Sequence, residues 1–146
     1  MRPSLIIPRL RAQCPVFSNR VAGAIQFRQA MGADDFPVPH AFVLLMGVVP
    51  TGQDLISGYD QVVNAQLQVV VAVSSAADDR GQDASEQMIS CFVQVRDALL
   101  GWTPDPQRYG PIITDGLVLS EGESFTRARS WAEVNIVSEM LVRDLV

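Results

Sequence analysis

The chain of 146 residues has no lysine: its 11 basic residues are all arginine, set against 16 acidic ones, for a formal net charge of −5 and a pI near 4.7. Without a basic face a protein cannot compete for phosphate backbones, so nucleic-acid binding as a main task is disfavoured. Arginine without lysine suits planar, paired contacts at interfaces, and it is equally what a GC-rich coding sequence produces. Cysteine is scarce as well. Cys14 and Cys91 stand far apart with no CxxC spacing, which removes the usual zinc and redox motifs and leaves buried free thiols in a reducing compartment as the default. There is one histidine, His40, so a serine or cysteine nucleophile would have a single candidate base. Aromatics make up 7% of the chain, too few for the ring-lined groove that paired-carboxylate glycoside chemistry uses. No apolar run approaches the ~20 residues of a membrane span, and MRPSLIIPRLRAQ has too short an apolar core for a signal peptide. No GxGxxG or GxxxxGK[ST] offers a phosphate cradle, and nothing calls for a cofactor.

What is present is apolar. Hydrophobic residues account for 48%, charged residues for 18%, and the mean hydropathy of +0.18 is high for a soluble monomer. Some apolar surface is therefore expected to be kept for a partner, as in an oligomer or an assembly component. The length suits one domain, residues 1–146, able to bury about two-thirds of its unfolded surface without a disulfide or metal.

In SLIIPRLRAQCP, Leu5, Ile6, Leu10 and Cys14 recur at near-helical spacing. Proline is tolerated only near a helix start, so Pro8 predicts a short helix beginning at Ile7 or later. RVAGAIQFRQAM reads as a strand or sheet edge broken by Gly23, and GADDFPVPH as a loop. AFVLLMGVVP, from Ala41 to Pro50, has the length and continuity of a buried strand. TGQDLISGYD is a second polar loop, and Val63, Ala65, Leu67, Val69, Val71 and Val73 alternate at period two, marking a long strand. From Met88, the positions Cys91, Phe92, Val95, Ala98, Leu99 and Trp102 form one helical stripe. Asp83 and Glu86 precede it as a D-x-x-E capping box. The last third reads as a hairpin, with polar residues repeating on one face of the final strand, a pattern for a wet or partner-facing side.

Chemistry is harder to find. A Cys91–His40 pair is one reading, and core cysteine with a structural histidine is the other. Asp34 with Asp35, or Asp78, Asp79 and Asp83, are oxygen donors, yet neither group has calcium-loop spacing, and a solvated acidic loop accounts for them. No catalytic or metal set is assigned. Loops carried on rigid elements often bind partners, so Asp34, Asp35, Gln53, Asp54, Tyr59, Asp78, Asp79 and Arg80 are the candidate interaction residues on loop composition.

Taken in order, SLIIPRLRAQCPVF, RVAGAIQF, HAFVLLMG, LQVVVAVSSAADDRGQDASEQ leading into VRDALLGWTPD, and SWAEVNIVSEMLV resemble the tail terminator (tail completion) proteins of long-tailed bacteriophages. The most telling stretches are ALLGWTP, Ala98 to Pro104, and the late strand that opens with Trp131. Where that family often continues with an aromatic and a basic tail, this chain has Val134 and ends in VRDLV.

The resemblance implies an α+β domain: an antiparallel sheet of about four to five strands, two helices packed on one face, in the order α-β-β-β-α-β-β. It further implies a non-enzymatic structural protein of the virion tail, present in the host cytoplasm during assembly. Its expected partners are other copies of itself in a hexameric ring, the tail tube protein and a head-tail connector protein, with DNA passing through unbound and no membrane involved. Two alternatives stand beside it, another phage neck or connector ring protein, and a small cytoplasmic enzyme or ligand-binding α+β domain using His40 and an acidic loop.

Overall fold

Side chains alternate along the strands and recur every third or fourth residue along the helices, and these two periods sort the chain into layers around a sheet. The computed structural model describes residues 1–32, 36–54, 61–74, 82–118 and 129–141. Within them lie α1 (Pro3–Gln13), a short 3-10 turn (Pro15–Phe17), β1 (Val21–Ala22), α2 (Ala24–Gly32), β2 (His40–Asp54), β3 (Gln61–Ser74), α3 (Gln82–Leu99), β4 (Ile113–Val118) and β5 (Arg129–Leu141). The strands form one sheet in the order β1-β2-β3-β5-β4. Every pairing is antiparallel except that of β1 with β2. The α+β class is thus as the sequence indicates.

One face of the sheet carries the main core. The odd-numbered residues Val63 to Val73 of β3 and the even-numbered Ala132, Val134, Ile136 and Met140 of β5 pack with Ile6 and Leu10 of α1, Cys14 just after it, and Met88, Cys91, Val95, Ala98 and Leu99 of α3. Full burial of each large aliphatic there contributes about 1.5–3 kcal/mol. On the other face a smaller cluster joins Ala30, Phe36, Phe42, Val70, Ala72 and Trp131, with Phe27 packed against it.

Three expectations need correction. Helix α1 starts at Pro3, five residues before Pro8. Pro3 occupies the first helical position, where no N–H is needed, and the buried Ile6 and Leu10 hold the turn in which Pro8 forgoes one hydrogen bond. The segment read as a strand or sheet edge is strand only at Val21–Ala22. It continues as α2, a third helix lying against the second face, with the Gly23 carbonyl accepting from the Phe27 N–H at 3.0 Å. Ala, Gln, Arg and Met are good helix formers, and Ala24 to Phe27 is one helical turn. Lastly, α3 begins at Gln82, so Asp83 falls inside the first turn and is not the capping residue.

The stretch ALLGWTP is a helix stop and a clamp. Gly101 takes φ +80°, the left-handed conformation that glycine adopts without penalty after a helix. Its N–H donates to the Ile112 carbonyl at 2.9 Å, and the Ile112 N–H donates to Trp102 at 3.0 Å. Arg9 of α1 donates its Nε–H to the Ala98 carbonyl at 3.0 Å and lays its guanidinium 4.9 Å from the Trp102 ring centroid. One arginine therefore ties α1 to the C-terminal end of α3.

Both thiols lie in the main core and are free. Burial pushes each up to about 11, which leaves roughly one thiolate in a thousand at pH 8. The expected result is that a maleimide or aromatic disulfide labels neither Cys14 nor Cys91 in the native protein within minutes, and both once denaturant is added.

Candidate functional site

Of the loop residues singled out from composition, Gln53 and Asp54 are placed by their backbone in the last two positions of β2, so the strand runs further than the loop expected there. Asp34, Asp35, Tyr59, Asp78, Asp79 and Arg80 lie outside the described residues. A different surface stands out in their place.

The run Ala41 to Pro50 was expected to be buried throughout. Only Ala41, Phe42 and Val43 are. Leu45 is 61% exposed, Met46 55% and Val49 43%, with Val48 and Pro50 also exposed. The cause is topological. β1 pairs only with Ala41 and Phe42, and among the described residues no strand lies along the outer edge of β2 beyond them. At the opposite end of the sheet β4 is likewise outermost, and Ile113 at its start is 58% exposed. Ile89 and Val93, four residues apart on α3, add further exposed apolar surface. Scattered apolar residues are ordinary, but a run of them along a free strand edge is what proteins usually avoid unless a partner covers it. The signal was in the sequence: AFVLLMGVVP does not alternate, so both faces of that strand are apolar.

A bulge shapes this strand. The pairing with β3 shifts between Leu45 and Gly47, leaving Met46 out of register, and Gly47 takes φ +144°. Such a bulge increases local twist and redirects the outer half of the strand.

Beyond the reach of α2, the second face carries a polar patch on β3 and β5. Asn64, Gln66 and Gln68 of β3 stand beside Glu133, Asn135 and Glu139 of β5, all partly or fully exposed. The Gln68 amide donates to Glu133 Oε2 at 3.1 Å and to Asn135 Oδ1 at 3.2 Å. The wet side expected of the final strand is this face.

His40 sits on the same face as Phe42 and stacks on it, with ring centroids 4.3 Å apart and planes within 3°. Cys91 is in the core of the opposite face, so the two do not meet. Both ring nitrogens of His40 are buried with no hydrogen-bond partner among the described residues. Burial pushes its pKa below the usual 6.5, and Arg20 acts in the same direction. The Pro37 carbonyl opposes them, without the geometry of a hydrogen bond. A group whose folded pKa is depressed is at full stability above its unfolded pKa and loses stability as pH falls through that value toward the folded one. As pH falls below 6.5 the protein is therefore expected to weaken, by no more than about 1.4 kcal/mol per pH unit, the ceiling for one proton. His40→Phe should flatten that part of the stability curve in urea titrations at stepped pH. Among the described residues no three His, Cys, Asp or Glu side chains gather as a metal-binding group, and no helix is long and apolar enough to cross a membrane.

Among the described residues the geometry offers an exposed apolar strand edge and no reactive cluster. The family model described as phage tail terminator protein matches residues 1–125. The chain belongs to the phage tail terminator family. No curated protein sequence matches it significantly. Among solved structures, a chain from the virion of a native gene transfer agent particle has the same fold, with a TM-score of 0.54 over 93% of this chain and 90% of its own, at 14% identity. Membership makes this terminator-family chain a structural protein of the phage tail. The match stops short of β5, the strand that places Trp131 in the second cluster and supplies the polar face.

Proposed function

We propose that this protein caps the head-proximal end of a phage or prophage tail tube, stops tube growth and forms the surface to which the head connector joins, acting as a ring of six copies. Stacked rings grow through head-to-tail contacts that continue indefinitely unless a different ring closes them. A terminator supplies one face complementary to the last tube ring and another that refuses a further tube ring. The single observation that carries the reading is the apolar, unpaired edge of β2 in a chain of this family. It is a surface made for another protein, and none of its residues brings chemistry.

In this reading Asp34, Asp35, Gln53, Asp54, Tyr59, Asp78, Asp79 and Arg80 face neighbouring copies or the tube, where their charge steers docking. The net charge of −5 keeps DNA moving through the ring unbound, and the protein waits in the host cytoplasm until it joins the virion tail. The test is capture of purified chain on immobilised tube protein and, separately, on the connector protein. Retention on tube protein, with connector binding only once the tube is capped, is the expected result. Retention on the connector alone would make the protein a neck component instead.

A further inference from the structure

Among the described residues no strand pairs with β2 beyond Phe42 or with the outer side of β4, and these two edges match. Along β2, β3, β5 and β4 the strand direction alternates, because each neighbouring pair is antiparallel. Four alternating strands are an even number. If a second copy is brought alongside by rotation about an axis parallel to the strands, its β4 therefore meets the first copy's β2 antiparallel, with the same sheet face inward in both. The contact is heterologous, as ring closure requires. An odd number of alternating strands would bring parallel edges together.

The register can be taken further. Gly47, Gln66, Val137 and Ile113 are direct partners across successive strands and form one row of the sheet, while Phe42, Val70, Glu133 and Val118 form another. With no stagger, the neighbour's Val118 would fall opposite Phe42, which already pairs with Ala22 of β1. The smallest shift that clears β1 and keeps each side chain on its own face moves β4 by two residues toward Asp54. That shift sets Val118 opposite Leu44 and Ile113 opposite Val49. Staggers of this kind accompany any sheet that closes on itself. Val49 and Ile113 are 43% and 58% exposed, and both lie on the second face, since Val49 pairs with Asn64 and Ile113 with Val137.

We propose that neighbouring copies in the ring join their sheets by hydrogen-bonding β4 of one along the free edge of β2 of the next, with Ile113 against Val49; this rests on the ring reading above. A six-residue strand pairing is smaller than the roughly 800 Å² per partner of a standard interface. The contact is therefore too small for a stable dimer, and it gains its stability from closure, in which each copy makes it twice. The outer edge of β2 carries no charged residue from Ala41 to Thr51, so none of the usual charged guards against edge pairing stands in the way.

The test uses Val49→Cys with Ile113→Cys in the full chain, assembled alone or on tube protein and then mildly oxidised. The native thiols are buried and stay silent. On a non-reducing gel the pair is expected to give a ladder of covalent multimers. Val48→Cys with Ile113→Cys, whose side chains lie on opposite faces, should give none. Amide exchange in the unmodified protein is an independent readout, and protection at residues 44–49 is expected to rise at least tenfold on assembly. Assembled rings with neither a Val49–Ile113 ladder nor such protection would overturn the edge pairing while leaving the ring intact. A ladder from both cysteine pairs would overturn this register. A strict monomer at every concentration, with and without tube protein, would overturn the ring and the pairing together.

Discussion

A Leu45→Glu/Val48→Glu variant is expected to fold normally and to fail in assembly. Both side chains are exposed in the single chain, and surface changes of this kind stay within about 0.5 kcal/mol each. For a protein of this size that shifts the melting temperature by no more than roughly 2–4 °C. At an interface the same carboxylates would be taken out of water unpaired, at an effective cost of several kcal/mol each. A loss of 4 kcal/mol already weakens association about a thousandfold. Light scattering across a concentration series, alone and with tube protein, measures the outcome beside circular dichroism for the fold. Unchanged assembly in the variant would remove the β2 edge from the interaction surface.

The second large effect concerns stability. Phe42 is fully buried where β2 meets the second-face cluster, edge-on to Phe27 at 5.3 Å and to Phe36 at 6.2 Å, stacked with His40 on one side and with Trp131 at 6.3 Å. Phe42→Ala should cost about 3–5 kcal/mol, from the lost transfer energy and the cavity left among rings that cannot all collapse into it. Against a total stability of about 5–15 kcal/mol, the variant should melt roughly 10 °C lower. Phe42→Leu keeps most of the volume and should cost far less. A loss below about 1 kcal/mol for the alanine variant in urea denaturation would show that the second cluster contributes little.

Much of this architecture was legible because two periods speak plainly in the chain. The alternation from Val63 to Val73 gave β3 and its core face, and the stripe from Met88 to Leu99 gave the inner side of α3. The antiparallel pairing of β4 with β5 and the polar face of β5 followed from β-rich composition and alternation. The region from Arg20 to Gly32 misled, because Val21, Ala24 and Phe27 are three apart and suit a helix, yet Gly23 hides the point where the two-residue strand gives way to it. Pro8 misled for the opposite reason: a local rule about proline gave way to burial of the residues on either side of it.

The proposed interaction surface was less legible than the fold. Composition drew attention to charged loops, while the exposed apolar edge sat inside a run that reads as core. Continuity of Ala41–Pro50 says that both faces of the strand are apolar, but not where its neighbours stop. That depends on β1 being two residues long and on two strands far apart in sequence ending the sheet. The high mean hydropathy was the one bulk quantity that fits the exposed apolar residues of β2.

The central claim is that the protein ends the growth of a tail tube. The most direct measurement is the length distribution of tubes grown from purified tube protein and imaged with and without this chain. Adding it in a few-fold excess over tube ends is expected to halt elongation, leave the existing tubes at constant length and place an extra six-fold ring at one end only. Tubes that continue to lengthen at an unchanged rate, with no ring at either end, would contradict it.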